Sequence, residues 1–172
     1  SSWSECGASG IQTRICTDSN NCGTLKNKPS ETQTCTYQYK LGDKVVIGDF
    51  SYVFNSKEET SEIGDYILDS FFGEKADGVF YIIDLTIENQ GTESKNFDSD
   101  LIKIVDSQNR KFSSDSSAGI YLDDDAFFYD QLQPGLPKRG KIVFDVPNNL
   151  EGKIEISSNE LFSNEIKYVL LE

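Results

Sequence analysis

The four cysteines of this chain all lie within the first 35 of its 172 residues, and no cysteine follows them. A segment of this size buries too little apolar surface to hold a fold alone, because segments below ~40 residues usually need a cross-link or a metal. A cysteine-dense head followed by a cysteine-free body therefore predicts two modules. We place the head at residues 1–36, a junction at 37–40 and the body at 41–172.

The spacing of these cysteines favours disulfides over a zinc site. They are Cys6, Cys16, Cys22 and Cys35, separated by nine, five and twelve intervening residues. Zinc sites prefer cysteine pairs only about two to four residues apart, often joined by histidine, and this chain has no histidine. Spacing alone does not choose among the pairings. Because disulfides persist outside the reducing cytosol, the head predicts an extracellular or cell-surface location.

Short motifs run through the head in the order Trp-Ser-x-Cys, Gly-Ile-Gln-Thr-Arg-x-Cys, Cys-Gly and Glu-Thr-Gln-x-Cys. In this order and spacing they resemble the thrombospondin type 1 repeat over residues 3–35. The resemblance implies an elongated three-stranded ribbon with Cys6 paired to Cys35 and Cys16 paired to Cys22. It also implies that Trp3 stacks on Arg14, a cation–π contact worth about 0.5–2 kcal/mol.

The head also departs from that family. It has fewer cysteines than the family usually has, and the Ser/Thr that carries O-fucose in the family is missing from residues 6–10. One tryptophan and one arginine allow a single stacked layer. The head is electrically neutral, so the family's basic glycosaminoglycan-binding face is absent. These departures favour a rigid spacer or a protein-contact module.

Formal charge divides the chain at the same place as the cysteines. Residues 1–36 carry equal numbers of acidic and basic residues, so the whole net charge of −13 lies in residues 37–172. A surface this acidic repels phosphate backbones and anionic lipid, which argues against nucleic acid as a partner. No apolar run approaches the ~18 residues of a membrane span, so we expect no membrane insertion. The chain starts at Ser1 without a methionine, and we expect a fragment of a longer exported protein.

The body is predicted to be an antiparallel β-sandwich, because short apolar or alternating segments are separated by glycine, proline and asparagine turns. In residues 78–89 every second residue from Val79 to Ile87 is apolar, which predicts one core-facing side. We expect Ile142 and Phe144 to point into the core and Val143 to point outwards. Residues 56–70 are expected to hold a loop or one helical turn. The predicted strands are residues 44–54, 78–89, 101–105, 111–112, 127–129, 141–146, 153–156 and 166–171.

Three segments of the body carry a second resemblance: Leu-Thr-Ile-Glu-Asn-Gln-Gly, Ile-Val-Asp-Ser-Gln-Asn-Arg-Lys-Phe and Leu-Gln-Pro-Gly-x-Pro-x-x-Gly-x-Ile-Val-Phe-Asp-Val-Pro. Over residues 41–172 the chain resembles a family of exported immunoglobulin-like domains found in prokaryotic surface lipoproteins. The resemblance implies an immunoglobulin-like β-sandwich at the cell surface. It implies no activity, because the function of that family is largely undefined.

The absence of histidine removes the commonest general base and metal ligand, which excludes a Ser-His-Asp triad. Glycine-rich phosphate loops and the Gly-x-Ser-x-Gly motif are also missing. Paired carboxylates can perform acid–base chemistry, but all except three of the 29 acidic residues lie in the body, and the sequence selects no pair. We therefore predict that the chain is not an enzyme, with a carboxylate-based hydrolase as the alternative.

Two acidic clusters are candidate calcium ligands. Asp98 and Asp100 form one, and Asp123, Asp124 and Asp125 form the other. Oxygen ligands close together suit Ca²⁺, although neither cluster follows the EF-hand spacing. The alternative is a solvated loop at each cluster, and no other cofactor is predicted.

Adjacent aromatic residues at 71–72 and 127–129 are candidate contact residues. Neighbouring residues of a strand face opposite sides of a sheet, so one ring of each group can stay outside the core and contact a protein or a sugar. The alternative is ordinary core packing.

These patterns together predict a non-catalytic binding or adhesion module of a prokaryotic exported protein, with a protein or glycan partner at the cell surface. A structural stalk that displays another domain is the alternative. Binding requires an exposed aromatic or acidic patch, whereas a stalk requires only a stiff junction at residues 37–40. A hydrolase requires two carboxylates in a concave pocket, one with a raised pKa.

Overall fold

The contacts of the chain divide it into two units, Ser1–Tyr39 and Lys40–Glu172. The structure is a computed structural model that describes residues 2–7, 9–17, 28–122 and 126–171. The division falls inside the junction predicted at residues 37–40.

The first unit contains a two-stranded ribbon and a disulfide. Strand β1 (Ile11–Thr13) pairs antiparallel with β2 (Thr32–Thr34). The disulfide joins Cys6, before β1, to Cys35, directly after β2, with the two Cα atoms 5.9 Å apart. The thrombospondin resemblance implies a three-stranded ribbon. The structure shows two strands among residues 2–7, 9–17 and 28–38 and no third strand there.

Four antiparallel strands form the first sheet of the second unit. They are β4 (Lys44–Ile47), β5 (Phe50–Ile67), β6 (Ser70–Asn89) and β11 (Lys138–Val146). Their order across the sheet is β11-β6-β5-β4. Strands β5 and β6 are consecutive along the chain and form a hairpin much longer than either neighbouring strand.

The second sheet has the order β3-β13-β12-β8-β9. Its strands are β3 (Tyr39–Lys40), β8 (Ile102–Asp106), β9 (Lys111–Phe112), β12 (Gly152–Ser157) and β13 (Ile166–Leu170). The remaining elements are the antiparallel pair β7 (Lys95–Asp98) and β10 (Tyr129–Leu132), a 3-10 turn at Ser99–Leu101 and a short helix α1 (Ser116–Gly119).

The core is built from the alternating residues that each sheet buries on one face. The first sheet contributes Val45, Ile47, Tyr52, Phe54, Ile83, Leu85 and Ile87. The second contributes Ile102, Ile104, Ile154, Ile156 and Val169. The ring of Phe97 lies between Tyr52 and Phe127, with centroid distances of 6.3 and 5.6 Å. The predicted all-β class and the two-sheet sandwich are confirmed.

The expectation of a loop or helical turn at residues 56–70 is wrong. Strand β5 continues to Ile67, and β6 begins at Ser70. The serine, lysine and glutamate residues of this segment have weak β propensity. Pairing with β6 supplies their backbone hydrogen bonds, from Lys57 opposite Ile83 to Ile67 opposite Ser70, with one register shift between Thr60 and Glu62.

Val143 points outwards as expected, away from the side chains of Ile142 and Phe144, but it is not exposed to solvent. Val143 is buried in a second, smaller apolar cluster with Ile63, Phe80, Ile82 and Ala118. Ala118 belongs to α1, so this helix covers the outer side of the first sheet at that point. The cover comes from a separate element, and the alternation within one strand does not reveal it.

Candidate functional site

The long hairpin continues past the strands that flank it. Strand β4 pairs with β5 only up to Val53, and β11 pairs with β6 only from Val79 onwards. Between these limits the described strands of the hairpin pair with each other alone. The hairpin therefore ends as a two-stranded ribbon, closed by the two-residue turn of Leu68 and Asp69.

The turn holds a leucine in an unfavourable backbone conformation. Leu68 has φ 48° and Asp69 has φ 63°, which are the signs required by the type I′ turn typical of hairpins. Asparagine and glycine are the favoured residues there, and a leucine in the left-handed region costs roughly 1–2 kcal/mol. The side chain of Leu68 is 95% exposed. An apolar side chain thus occupies a nearly fully exposed position at the end of the ribbon, at a conformational cost.

We call Tyr66, Ile67, Leu68, Phe71 and Phe72 the tip patch. Tyr66 and Phe71 are cross-strand partners on one side of the ribbon, with ring centroids 5.2 Å apart. Ile67 and Phe72 lie on the other side, because their strand partners are Ser70 and Asp65. Tyr66, Ile67 and Phe72 are 63%, 56% and 54% exposed. The patch wraps around the end of the ribbon rather than facing the core.

A cross-strand pair of glycines lies next to the tip patch, on the side away from the turn. Gly64 and Gly73 are opposite each other, and Gly64 has φ 142°. A Cβ on Gly64 would lie 2.2 Å from the carbonyl oxygen of Phe72, and one on Gly73 would lie 2.7 Å from Cζ of Phe71. The glycines let the two backbones approach closely and let the Phe71 ring lie over them, as in other strands where an aromatic ring covers glycine.

Acidic side chains surround the patch. Asp65, Asp69 and Glu74 form what we call the acidic rim. Nearby, Lys75 Nζ lies 3.4 Å from Glu62 Oε2 and 5.2 Å from the centroid of Phe71. Residues 62–75 carry four acidic residues and one lysine, for a net charge of −3. The site is therefore an apolar tip with a negative border.

The predicted cysteine and stacking residues lie in the first unit. Cys6 and Cys35 form the disulfide. Cys16 has no disulfide partner among the described residues, and Cys22 lies outside them, so the second bridge stays a prediction. The guanidinium carbon of Arg14 is 4.4 Å from the centroid of the Trp3 ring.

The predicted calcium ligands are only partly described. Asp98 Oδ1 accepts from the backbone N–H of Asp100 at 2.9 Å and caps the 3-10 turn that follows. Asp123, Asp124 and Asp125 lie outside the described residues. Among the residues that are described, no group of three or more acidic or cysteine side chains could hold a metal ion. Calcium binding stays a prediction.

The aromatic groups at 71–72 and 127–129 differ in their surroundings. Phe127 is buried in the core, whereas Tyr129 is exposed and its hydroxyl accepts from Asn96 Nδ2 at 2.9 Å. Phe72 belongs to the tip patch. Sequence reasoning missed Tyr66, Ile67 and Leu68, because the segment between two apolar runs lacks the Asn-Gly signal of a hairpin turn.

Two antiparallel sheets with a projecting, apolar-tipped ribbon define the second unit as a β-sandwich protein with an exposed apolar patch. Residues 39–167 match the family described as "Domain of unknown function (DUF4352)", and the chain belongs to this family. No curated protein sequence matches the chain. In the described part of the chain, no helix is long and apolar enough to cross a membrane.

Solved structures with a similar fold come from bacteria. The yjhA protein of Bacillus subtilis is 13% identical, with a TM-score of 0.59 over 78% of this chain and 100% of that chain. The ycdA protein of Bacillus subtilis is 10% identical, with a TM-score of 0.54 over 72% of this chain and 37% of that chain. A functionally unknown protein from Listeria monocytogenes is 14% identical, with a TM-score of 0.51 over 80% and 86% of the two chains. At these identities the similarity concerns the fold alone.

Proposed function

We propose that this chain is a non-catalytic binding module of a prokaryotic exported protein, and that the tip patch is its contact site at the cell surface. The observation that carries the proposal is the placement of Leu68, almost fully exposed and in a left-handed conformation, at the end of the ribbon. Residues kept in costly backbone conformations concentrate at functional sites. Contiguous exposed apolar side chains mark interaction surfaces.

The energy available at such a tip suits binding. Complete burial of a leucine or phenylalanine side chain is worth about 1.5–3 kcal/mol. The tip patch supplies four strongly exposed apolar residues and the half-buried Phe71. The acidic rim opposes approach to nucleic acid and to anionic lipid, because like charges repel. A protein or glycan partner at the cell surface is consistent with both properties.

An exported location is supported by the disulfide between Cys6 and Cys35. Disulfides form and persist in oxidising compartments and are rare in the cytosol. The resemblance of the body to exported immunoglobulin-like domains points the same way. A non-catalytic role is supported by a sequence without histidine, the residue that most often serves as general acid or base.

For the first unit we propose a thrombospondin-type-1-like module that acts as a rigid spacer or protein-contact element. Three features of this unit support the proposal: the ribbon of β1 and β2, the disulfide at its end, and Arg14 over Trp3. The hydroxyl of Ser4 and the carbonyl of Glu31 also accept hydrogen bonds from the backbone around β1.

The binding role is tested with intact cells of the producing organism. The fluorescently labelled chain should bind them saturably, and the variant Leu68→Ser/Phe72→Ser should lose most of that binding. The matched control is Leu161→Ser/Phe162→Ser, which removes two strongly exposed apolar side chains from the loop after β12. A stalk does not use the tip, so equal binding by the unmodified chain and the tip variant would reject the contact site.

A further inference from the structure

A group of lysines occupies the outer face of the second sheet. Register places Lys103, Lys153 and Tyr168 on the same side as Glu155, because Glu155 is opposite both Lys103 and Tyr168. Lys111 joins them, since it is opposite Val105, which is itself opposite Lys153. We call Lys103, Lys111 and Lys153, with Glu155 and Tyr168, the lysine face.

One buried carboxylate organises this face. Glu155 is 2% exposed, and its two oxygens accept from Lys111 Nζ at 2.6 Å and from the Tyr168 hydroxyl at 3.2 Å. Lys153 Nζ lies 3.8 Å from the centroid of the Tyr168 ring. Lys103 Nζ donates to Ser113 Oγ at 2.9 Å. Lys111, Glu155, Tyr168 and Lys153 are therefore held in place by contacts with one another, and Lys103 by Ser113.

The lysine face carries a positive charge in an acidic protein. Its three lysines and one glutamate sum to +2, whereas the whole chain carries −13. Lys103 and Lys153 form no ion pair with any residue that the structure describes. Beside the lysines, Tyr168 and Ile166 lie on the same side of the sheet and are partly exposed. The face thus combines apolar side chains with positive charge.

We propose that the tip patch of one copy of this chain docks on the lysine face of a second copy. This inference rests on the proposed function, which makes the tip patch the contact site, and it names the partner. The tip offers apolar side chains bordered by Asp65, Asp69 and Glu74, and the lysine face offers apolar side chains bordered by lysines. Both the apolar and the charged components are complementary, the arrangement by which interfaces select a partner and a register.

The contact joins two different surfaces and therefore repeats. The tip patch belongs to the hairpin of the first sheet, and the lysine face belongs to the second sheet. Each copy that docks its tip still presents its own lysine face to a further copy. A heterologous contact of this kind builds an open line of copies rather than a closed two-fold dimer.

The net charge limits how tightly copies associate. Molecules of charge −13 repel one another at long range, but at physiological ionic strength charges more than about 8 Å apart in solvent are largely screened. The local attraction between the acidic rim and the lysines acts at shorter distance. A contact limited to one hairpin tip is at the small end of specific interfaces, so we expect a dissociation constant on the order of 100 µM.

Sedimentation velocity of the full chain, from about 5 to about 500 µM at physiological salt, tests the proposal. The unmodified chain should form dimers and longer species as its concentration rises. Two charge-reversal variants should each raise the dissociation constant at least about tenfold. They are the rim variant Asp65→Lys/Asp69→Lys and the face variant Lys103→Glu/Lys153→Glu. An equimolar mixture of the two variants should associate again, because each tip then meets a face of opposite charge.

The controls distinguish this contact from the effects of net charge and of nonspecific association through exposed apolar side chains. Lys44→Glu/Lys138→Glu changes the net charge by as much as the face variant does, but at positions outside both surfaces. Leu161→Ser/Phe162→Ser removes exposed apolar side chains that also lie outside both surfaces. Both controls should associate like the unmodified chain, and urea unfolding should show that every variant is folded.

A chain that stays monomeric over the whole range would overturn the proposal, as would two variants whose mixture fails to associate. Either result leaves the cell-binding test untouched, since loss of cell binding in Leu68→Ser/Phe72→Ser would still assign the tip to another partner.

Discussion

Asn159, in the loop after β12, forms two hydrogen bonds with Asp49, in the turn before β5. Its side-chain Nδ2 donates to Asp49 Oδ2 at 3.1 Å, and its Oδ1 accepts from the backbone N–H of Asp49 at 3.1 Å. A Cβ on Gly48, which has φ 55°, would lie 2.4 Å from that same Oδ1. The two segments are about 110 residues apart in the chain, so this contact joins the first sheet to the second.

Replacing Asn159 by alanine should lower the free energy of unfolding by about 1–2 kcal/mol, because the backbone N–H of Asp49 then loses its partner in a half-buried position. Gly48→Ala should cost a similar amount through its positive φ and the close approach of Asn159. Urea unfolding measures both. Asn164→Ala is the control, because Asn164 is exposed in the same loop; a loss as large as that of Asn159→Ala would contradict the assignment.

Stability should fall at acid pH because of Asp84. Hydrogen bonds from Arg139, with Nε 2.9 Å from Oδ1 and Nη2 2.9 Å from Oδ2, hold the pKa of Asp84 below its ordinary value of 3.8, although partial burial opposes the shift. A depressed folded-state pKa gives stability that is complete above pH 3.8 and is lost as pH falls through the folded-state value.

Asp84→Asn should therefore lose about 1 kcal/mol at pH 7 and should show a weaker decline in stability below pH 4 than the unmodified chain. Urea midpoints measured at pH 7, 4 and about 2.5 test this, since the window lies around the ordinary carboxyl pKa. The exposed Asp69 provides the control Asp69→Asn. An acid profile of Asp84→Asn that matches the unmodified chain would show that this ion pair does not contribute.

Tyr52→Phe should stabilise the second unit by about 1 kcal/mol. The Tyr52 hydroxyl is buried in the core and has no hydrogen-bond partner among the described residues, which is costly. Burial also raises the pKa of this hydroxyl far above its ordinary value. Thermal unfolding measures the change. Tyr81→Phe is the matched opposite case, because the Tyr81 hydroxyl donates to the carbonyl of Leu150 at 3.0 Å, and its loss should destabilise.

Disulfide mapping after thiol alkylation should find Cys6 linked to Cys35. The same experiment tests the second bridge predicted between Cys16 and Cys22, by showing whether both thiols are blocked. Cys6→Ser/Cys35→Ser should open residues 2–35 to proteases while residues 40–171 stay protected, because the second unit contains no cysteine. Four free thiols in freshly purified protein would contradict the exported location.

Calorimetric titration with millimolar calcium tests the two acidic clusters. If they bind Ca²⁺, heat should be absorbed or released saturably and should decrease in Asp98→Asn/Asp100→Asn or in Asp123→Asn/Asp125→Asn, since neutral amides are weaker ligands than carboxylates. A titration without heat would reject calcium binding at both clusters.

Alternation along the chain predicted most of the sandwich. The core side of β6, from Val79 to Ile87, and the inward positions Ile142 and Phe144 follow from a period of two, because each β-strand turns successive side chains to opposite faces. That reasoning gave the correct face for Val143 but not its burial, and it failed for residues 56–70. Val143 is buried by α1, and residues 56–67 are strand because β6 lies beside them.

The candidate site was predicted only in part. Adjacent aromatic residues pointed to Phe71 and Phe72, but Tyr66, Ile67 and Leu68 had no signal as contact residues. Their exposure depends on β4 and β11 stopping before the hairpin does, and strand ends are set by what packs beside them.

The sequence by itself determined the separation of a cysteine-bearing head from an acidic, cysteine-free body, the all-β class of the body and most of its core-facing residues, because these depend on composition and on local periodicity. Only the tertiary structure decided that one hairpin extends beyond the rest of its sheet, that its apolar turn stays exposed to solvent, and that three lysines share one face of the second sheet with Glu155. These features depend on which strands lie next to each other and where each pairing ends, and residues far apart in the chain set both.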